Sequence, residues 1–256
     1  MKRGLFAASI LFFLIASSAH AQGAPGMQVQ PKTIEMGALF DGTTITATGE
    51  IPGDGEAVLR FLGEGCDLHM KERGKLFGVM WMNLDSLIFR GVPSVCIVTS
   101  SGDLDKIAGK PEEGDTVDSL RLSGIKKEMR LESGGGNHEG AFDELLKLKA
   151  DEGLYRELTG NVSYGPASGG VKSFRARIPV PARLTPGQYM VELSVVRDGR
   201  IVSRATEPVS ADLVGFPKML AGLAFGHSAL YGIFSAVIAI LAGLAIGIVF
   251  QGKAAH

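Results

Sequence analysis

Five histidines, two cysteines and one tryptophan are spread over 256 residues, and the formal net charge is only −1. Basic excess is missing: residues 22–215 hold all 27 acidic residues but 22 of the 26 Lys and Arg, a balance of −5, which argues against a nucleic-acid surface. Only His69 and His138 lie in that middle region, so a Ser/His/acid hydrolase would have to use one of them. Neither stands in a nucleophile-elbow context, and no Gly-x-Ser-x-Gly occurs. Ser123 and Lys126 have Ser-x-x-Lys spacing but lack Ser-Asp-Asn and Lys-Thr-Gly partners, and Gly134-Gly135-Gly136 lacks the Lys-Ser/Thr of a phosphate loop. Long apolar runs are absent from the middle as well. Mean hydropathy is +0.19, too low for a bundle of membrane helices and too high for an ordinary soluble domain, so the apolar residues must be unevenly placed.

They are concentrated at the two ends. Met1-Lys2-Arg3 is a short basic start, residues 5–16 are apolar apart from Ser9, and Ala19 and Ala21 put small residues where a signal peptidase reads. Residues 1–21 are therefore expected to be a signal peptide cleaved before Gln22. An uncleaved anchor fits less well, because about 12 apolar residues rise only ~18 Å against a hydrocarbon core of ~30 Å. At the other end, the 23 residues of 228–250 carry no charge. As a helix they rise ~34 Å, enough for one bilayer crossing. Together the two ends predict a single-pass protein of the cell inner (plasma) membrane. Residues 22–215 would form an extracytoplasmic body, 216–227 a juxtamembrane segment, 228–250 the transmembrane helix and 251–256 a cytoplasmic tail. Lys253 agrees with the positive-inside rule, and Lys218 on the other flank nearly cancels it. Gly222/Gly226 and Gly243/Gly247 have the Gly-x-x-x-Gly spacing that lets helix backbones approach, which makes them candidates for helix packing beside the plain alternative of lipid-facing glycine.

The body reads as strands, a helical insert, then strands. Residues 42–49, 56–62, 77–82 and 94–99 are β-branched or aromatic-rich runs separated by turns such as Asp41-Gly42 and Pro52-Gly53-Asp54-Gly55. Over about 103–158 the period turns helical through Phe142, Leu145, Leu146, Leu148 and Leu158, with Asn137 as N-cap, Asp143 and Lys147 four apart, and a weaker helical candidate at 116–132. Strands return at 174–180, 188–196 and 200–209, with Asp198-Gly199 as a two-residue hairpin turn. Tyr189, just after Pro186-Gly187, resembles the tyrosine corner of immunoglobulin-like sandwiches. The predicted fold is mainly β: an immunoglobulin-like antiparallel sandwich with a helical insert, two small sandwiches being the alternative, plus one C-terminal transmembrane helix.

Gly78-Val79-Met80-Trp81-Met82-Asn83, followed by Phe89 and Val92-Pro93-Ser94, resembles the signature of the putative transmembrane protein family first described in alphaproteobacteria. The resemblance implies an export signal, an extracytoplasmic domain and one C-terminal span. It also implies an accessory to a transporter, since genes of the family often accompany permeases resembling sulfite exporters, and it carries over no catalytic residues. The family pattern has an aromatic residue near position 96, where this chain has Cys96.

Cys66 and Cys96 both lie in the body, where oxidation is permitted, and a bridge would close a loop of about 30 residues. A disulfide and two independent thiols are both open readings. Cys66, His69 and Met70, with Met80 and Met82 nearby in sequence, offer a thiolate, imidazole and thioether set that suits copper. The plainer account makes them packing residues. The function expected is therefore a non-enzymatic binding or accessory protein without cofactor. Its partners would be the lipid bilayer and an integral membrane permease, or a second copy through the span. The alternative is a periplasmic copper- or redox-handling protein using Cys66, His69 and Cys96 or Met70.

Overall fold

In β11 (Val171–Val180) the buried residues Phe174, Ala176, Ile178 and Val180 alternate with more exposed ones, the period of a strand with one face on a core. In β4 (Glu56–Gly63) residues 57–61 are all buried, which requires cover on both faces of the sheet. These two patterns determine the layers. The computed structural model describes residues 26–76, 79–108, 116–133 and 140–251. The expected signal peptide, Gly78, Gly134 to Gly136, Asn137, His138 and residues 252–256 of the tail lie outside them.

One sheet has the order β1 (Met27–Gln30), β3 (Thr43–Pro52), β11, β10 (Val162–Tyr164) and is antiparallel throughout. The second has the order β2 (Thr33–Met36), β13 (Arg200–Leu213), β12 (Gly187–Arg197), β4, β7 (Cys96–Ser100), β9 (Tyr155–Thr159). In it β2 runs parallel to β13 and β9 parallel to β7. A first core lies between them: Ile45, Ala47, Phe174 and Ile178 from one sheet meet Leu59, Phe61, Ile97, Val191 and Leu193 from the other. Strands from before and after the insert pair directly, β3 with β11 and β4 with β12, so the sheets build one sandwich.

The outer face of the six-stranded sheet carries a second core. Val58, Cys96, Val98 and Val196 point outward there and are covered by Leu87, Phe89 and Val92 of β6 (Met80–Pro93), by Val117, Leu120 and Ile125, and by Leu145 of α2 (Ala141–Asp151). Strand β6 forms a long hairpin with β5 (Gly65–Leu76), and β8 (Arg130–Ser133) adds to its base at residues 87–90. Between β7 and β8 lie α1 (Leu104–Ala108) and two 3-10 turns, Val117–Leu120 and Gly124–Lys127.

The expected insert is thus only partly helical. The candidate at 116–132 is two short turns and strand β8, and residues 155–158 are strand rather than helix. Gly153, with φ +75°, ends the path of α2, and pairing with β7 then overrides the helical spacing of Leu158. Asp143 pairs with Lys126. Of the strand expected at 77–82, residues 80–82 open the longer strand β6, and 77 and 78 lie outside the described residues. The Asp198-Gly199 turn is present, with φ of +50° and +79°. A Cβ at Gly199 would sit 2.0 Å from the Ala108 carbonyl oxygen, so glycine is required there.

The chain leaves the body through α3 (Gly215–Ala221) and a π-helical turn, Gly222–Gly226, and ends in α4 (Ser228–Gln251). Register places Gly187 opposite Ala211 and Tyr189 opposite Gly63. The exit toward α3 and the root of the β5–β6 hairpin therefore lie at the same end of the sheet.

The opposite end is held by Glu56. Its carboxylate accepts hydrogen bonds from Ser101 Oγ (2.7 Å) and Tyr164 Oη (2.8 Å), and lies 3.6 Å from Lys172 Nζ, joining the two sheets. Partial burial works against the charge, but the two hydroxyls and Lys172 outweigh it and hold the carboxyl below its ordinary value. Because the folded pKa is depressed, this contribution is present above the unfolded carboxylate pKa and is lost as pH falls through the folded value. Glu56→Gln is expected to cost about 1 to 2 kcal/mol at neutral pH. Denaturant titrations should show the gap from wild type closing as pH falls below the ordinary carboxylate range.

Candidate functional site

The β5–β6 hairpin carries most of the residues that the sequence singles out. On β5, Leu68 and Met70 are half-buried against the second core, whereas Cys66, Asp67 and His69 are exposed. Alternate residues of a strand face opposite ways, so His69 and Met70 diverge. The structure does not bring Cys66, His69 and Met70 together as a copper site. Among the described residues no group of three His, Cys, Asp or Glu side chains is placed to hold a metal ion.

Cys66 and Cys96 are separate free thiols, the first exposed and the second buried. This corrects the disulfide reading. Cys66 Sγ donates to the Val92 carbonyl oxygen at 3.5 Å, across the root of the hairpin. Cys96 points from β7 into the second core, where burial pushes its thiol up to about 12.

The residues of the family-like motif divide into two groups. Phe89 is buried and meets Phe142 of α2 edge to face, with ring centroids 5.5 Å apart. Pro93 is buried too, and its carbonyl accepts the Tyr155 hydroxyl at 2.7 Å. Burial raises the Tyr155 pKa and keeps that hydroxyl a donor. Arg90 pairs with Asp67 (2.6 Å) and Glu132 (2.7 Å), tying β6 to both its neighbours. These contacts mount the hairpin on the sandwich. Trp81 and Asn83 belong to the other half of β6, beyond the last pair with β8. There Val79 is 87% exposed, Met80 60% and Met82 42%. Within residues 80–86 the register partners are in β5.

Arg60 was not singled out by the sequence reading. It is 6% exposed on the outer face of the six-stranded sheet, with Nε and Nη2 on Glu192 (3.0 and 2.7 Å) and Nη1 on Glu128 (3.2 Å). Desolvation opposes its charge, yet Glu192 and Glu128 outweigh it and hold the guanidinium more firmly protonated than usual. A charge inside the continuous apolar run of β4 was the available signal. Its role is to tie the 3-10 turn before Glu128 to the sheet.

At the other end of the chain, residues 228–248 form one helix long and apolar enough to cross a membrane, with no part of it buried against the body. Gly243 and Gly247 lie on this helix with nothing within 4 Å of a Cβ built at either. Gly222 and Gly226 fall in the π-helical turn instead, so they do not share a straight α-helical face with the second pair.

The family model described as Putative transmembrane protein (Alph_Pro_TM) matches residues 26–252. The chain belongs to that family. The match takes in the sandwich, the hairpin and the apolar helix, and membrane localisation follows from the family and from the candidate span. No curated protein matches the chain.

The placement of the two cysteines fixes a thiol count. One thiol per chain should react with a maleimide in the native protein and two after denaturation without reductant, with Cys66 identified as the fast site by peptide mapping.

Proposed function

We propose that this protein is a single-pass, membrane-anchored accessory protein without catalytic activity. It is exported by residues 1–21, holds residues 22–215 on the periplasmic side of the inner membrane and keeps residues 251–256 in the cytoplasm. Its body serves as a binding module for an integral membrane permease or another envelope complex. The strand orders β1-β3-β11-β10 and β2-β13-β12-β4-β7 support an immunoglobulin-like reading. So does Tyr189, whose hydroxyl donates to the Thr185 carbonyl at 2.6 Å while its ring stacks on Phe61 at 5.2 Å.

One observation carries the proposal: Met80 and Met82 of β6, with Val79 just before them, are exposed on the half of the hairpin beyond the pairs with β8. A soluble surface does not normally concentrate apolar side chains on a projecting hairpin, and such a patch marks an interaction site. Its root lies at the end of the sheet from which the chain departs toward α4.

Met80→Asp combined with Met82→Asp should leave circular dichroism and melting temperature close to wild type, because both side chains are exposed. Recovery of a co-purifying membrane protein from mild detergent should fall about tenfold or more, the effect of losing at least ~1.4 kcal/mol of interface. Unchanged recovery, or a wild-type chain that purifies alone at native abundance, contradicts the proposal.

A further inference from the structure

A cleft of about 380 Å³ opens at the hairpin end of the sandwich, between the β4–β5 junction, the end of α2 and the loop leading into β12. Its lining includes Glu64, Cys66, Ser94, Lys149, Arg183 and Gln188, brought together from segments far apart in sequence. Lys149 is the unusual member. Only 8% of it is exposed, and it has no carboxylate within ion-pair distance among the described residues. Its stem is buried while its ammonium keeps access to solvent, which leaves three donors open to a ligand in the cleft. Arg183 is exposed on the same cleft and likewise free of ion pairs among the described residues, while Glu64 is the single carboxylate of the lining. The cleft therefore presents two cationic groups against one anionic group.

We propose that this cleft binds a small ligand through an oxyanion, a carboxylate, sulfate or phosphate group. Lys149 supplies a point charge, and the exposed Arg183 supplies a planar donor fork. The volume suits a small ligand rather than a protein segment. Lys149 lies near the end of α2, on the helix that packs Leu145 into the second core, so the ammonium is held by a rigid element. Ligand occupancy would cover Cys66, which makes its thiol a reporter.

The test uses the whole protein in phosphatidylcholine nanodiscs and follows maleimide labelling of Cys66. Sulfate, phosphate and acetate are added singly. At ten times its Kd, a bound anion should slow labelling about tenfold. Arg183→Gln and Lys149→Met should each abolish that protection while labelling without anion stays at the wild-type rate. Arg183 is exposed, so its variant keeps the test valid if Lys149→Met fails to fold. A parallel arm replaces part of the phosphatidylcholine with phosphatidylglycerol. Protection by that lipid alone, lost in the same variants, assigns the oxyanion to a headgroup, and protection by the free anions assigns it to a soluble ligand. No protection in any arm, or protection that survives both substitutions, overturns the proposal.

Discussion

The centre of the six-stranded sheet, at β4, β7 and the end of β12, is buried on both faces, and the rest of the structure depends on that constraint. An antiparallel sandwich needs cover on only one face of each sheet. Here β4 places Leu59 and Phe61 in the first core and Val58 in the second, and β12 does the same with Val195 and Val196. Without the hairpin base, the 3-10 turns and α2, the outward residues Val58, Cys96, Val98 and Val196 would meet water. Removing a large residue such as Phe61 or Phe89 from either core costs about 3 to 5 kcal/mol in comparable settings. Arg60 is the polar exception on the covered face, and Glu192 and Glu128 on opposite sides make its burial tolerable.

This constraint explains why the sequence between the two groups of sandwich strands is neither a free loop nor a separate domain. The base of the hairpin is committed to packing, through Leu87, Phe89, Val92 and the Tyr155 hydrogen bond to Pro93. In the other half Met80 and Met82 are exposed. The same arrangement brings the start of β5, the end of α2 and the approach to β12 around one cleft. Glu56 closes the sandwich at its far end, so binding features and clasp are separated by the length of the sheet.

Much of the sandwich was readable from the residues. Alternation in β11, the Asp198-Gly199 turn and the approach to Tyr189 each reflect local physics that tertiary contacts do not override. The apolar helix is legible for the same reason, since length and lack of charge are decisive. Strand β5 was not, because Asp67, His69, Lys71, Glu72 and Arg73 obscure the alternation of a strand whose register also slips between Cys66 and Leu68. Strand β9 was mistaken for helix because Leu158 matches the helical offset, and its parallel partner β7 lies more than fifty residues earlier. Cys66 and Cys96 looked like a pair, but the fold assigns one to an exposed edge and the other to a core. The cleft could not be foreseen, since residues 183–189 form only half of its lining and the other half comes from residues 64–66, 94–95, 149 and 154.

The central claim is that sandwich and insert form one cooperative unit sharing the two-faced sheet. Hydrogen exchange followed by mass spectrometry on the intact detergent-solubilised protein tests it most directly. Amides of β4, of residues 87–92 and of α2 around Leu145 should exchange through one global opening and respond together to added denaturant. Exchange of α2 and residues 87–92 orders of magnitude faster than β4, with the sandwich still protected, would contradict it.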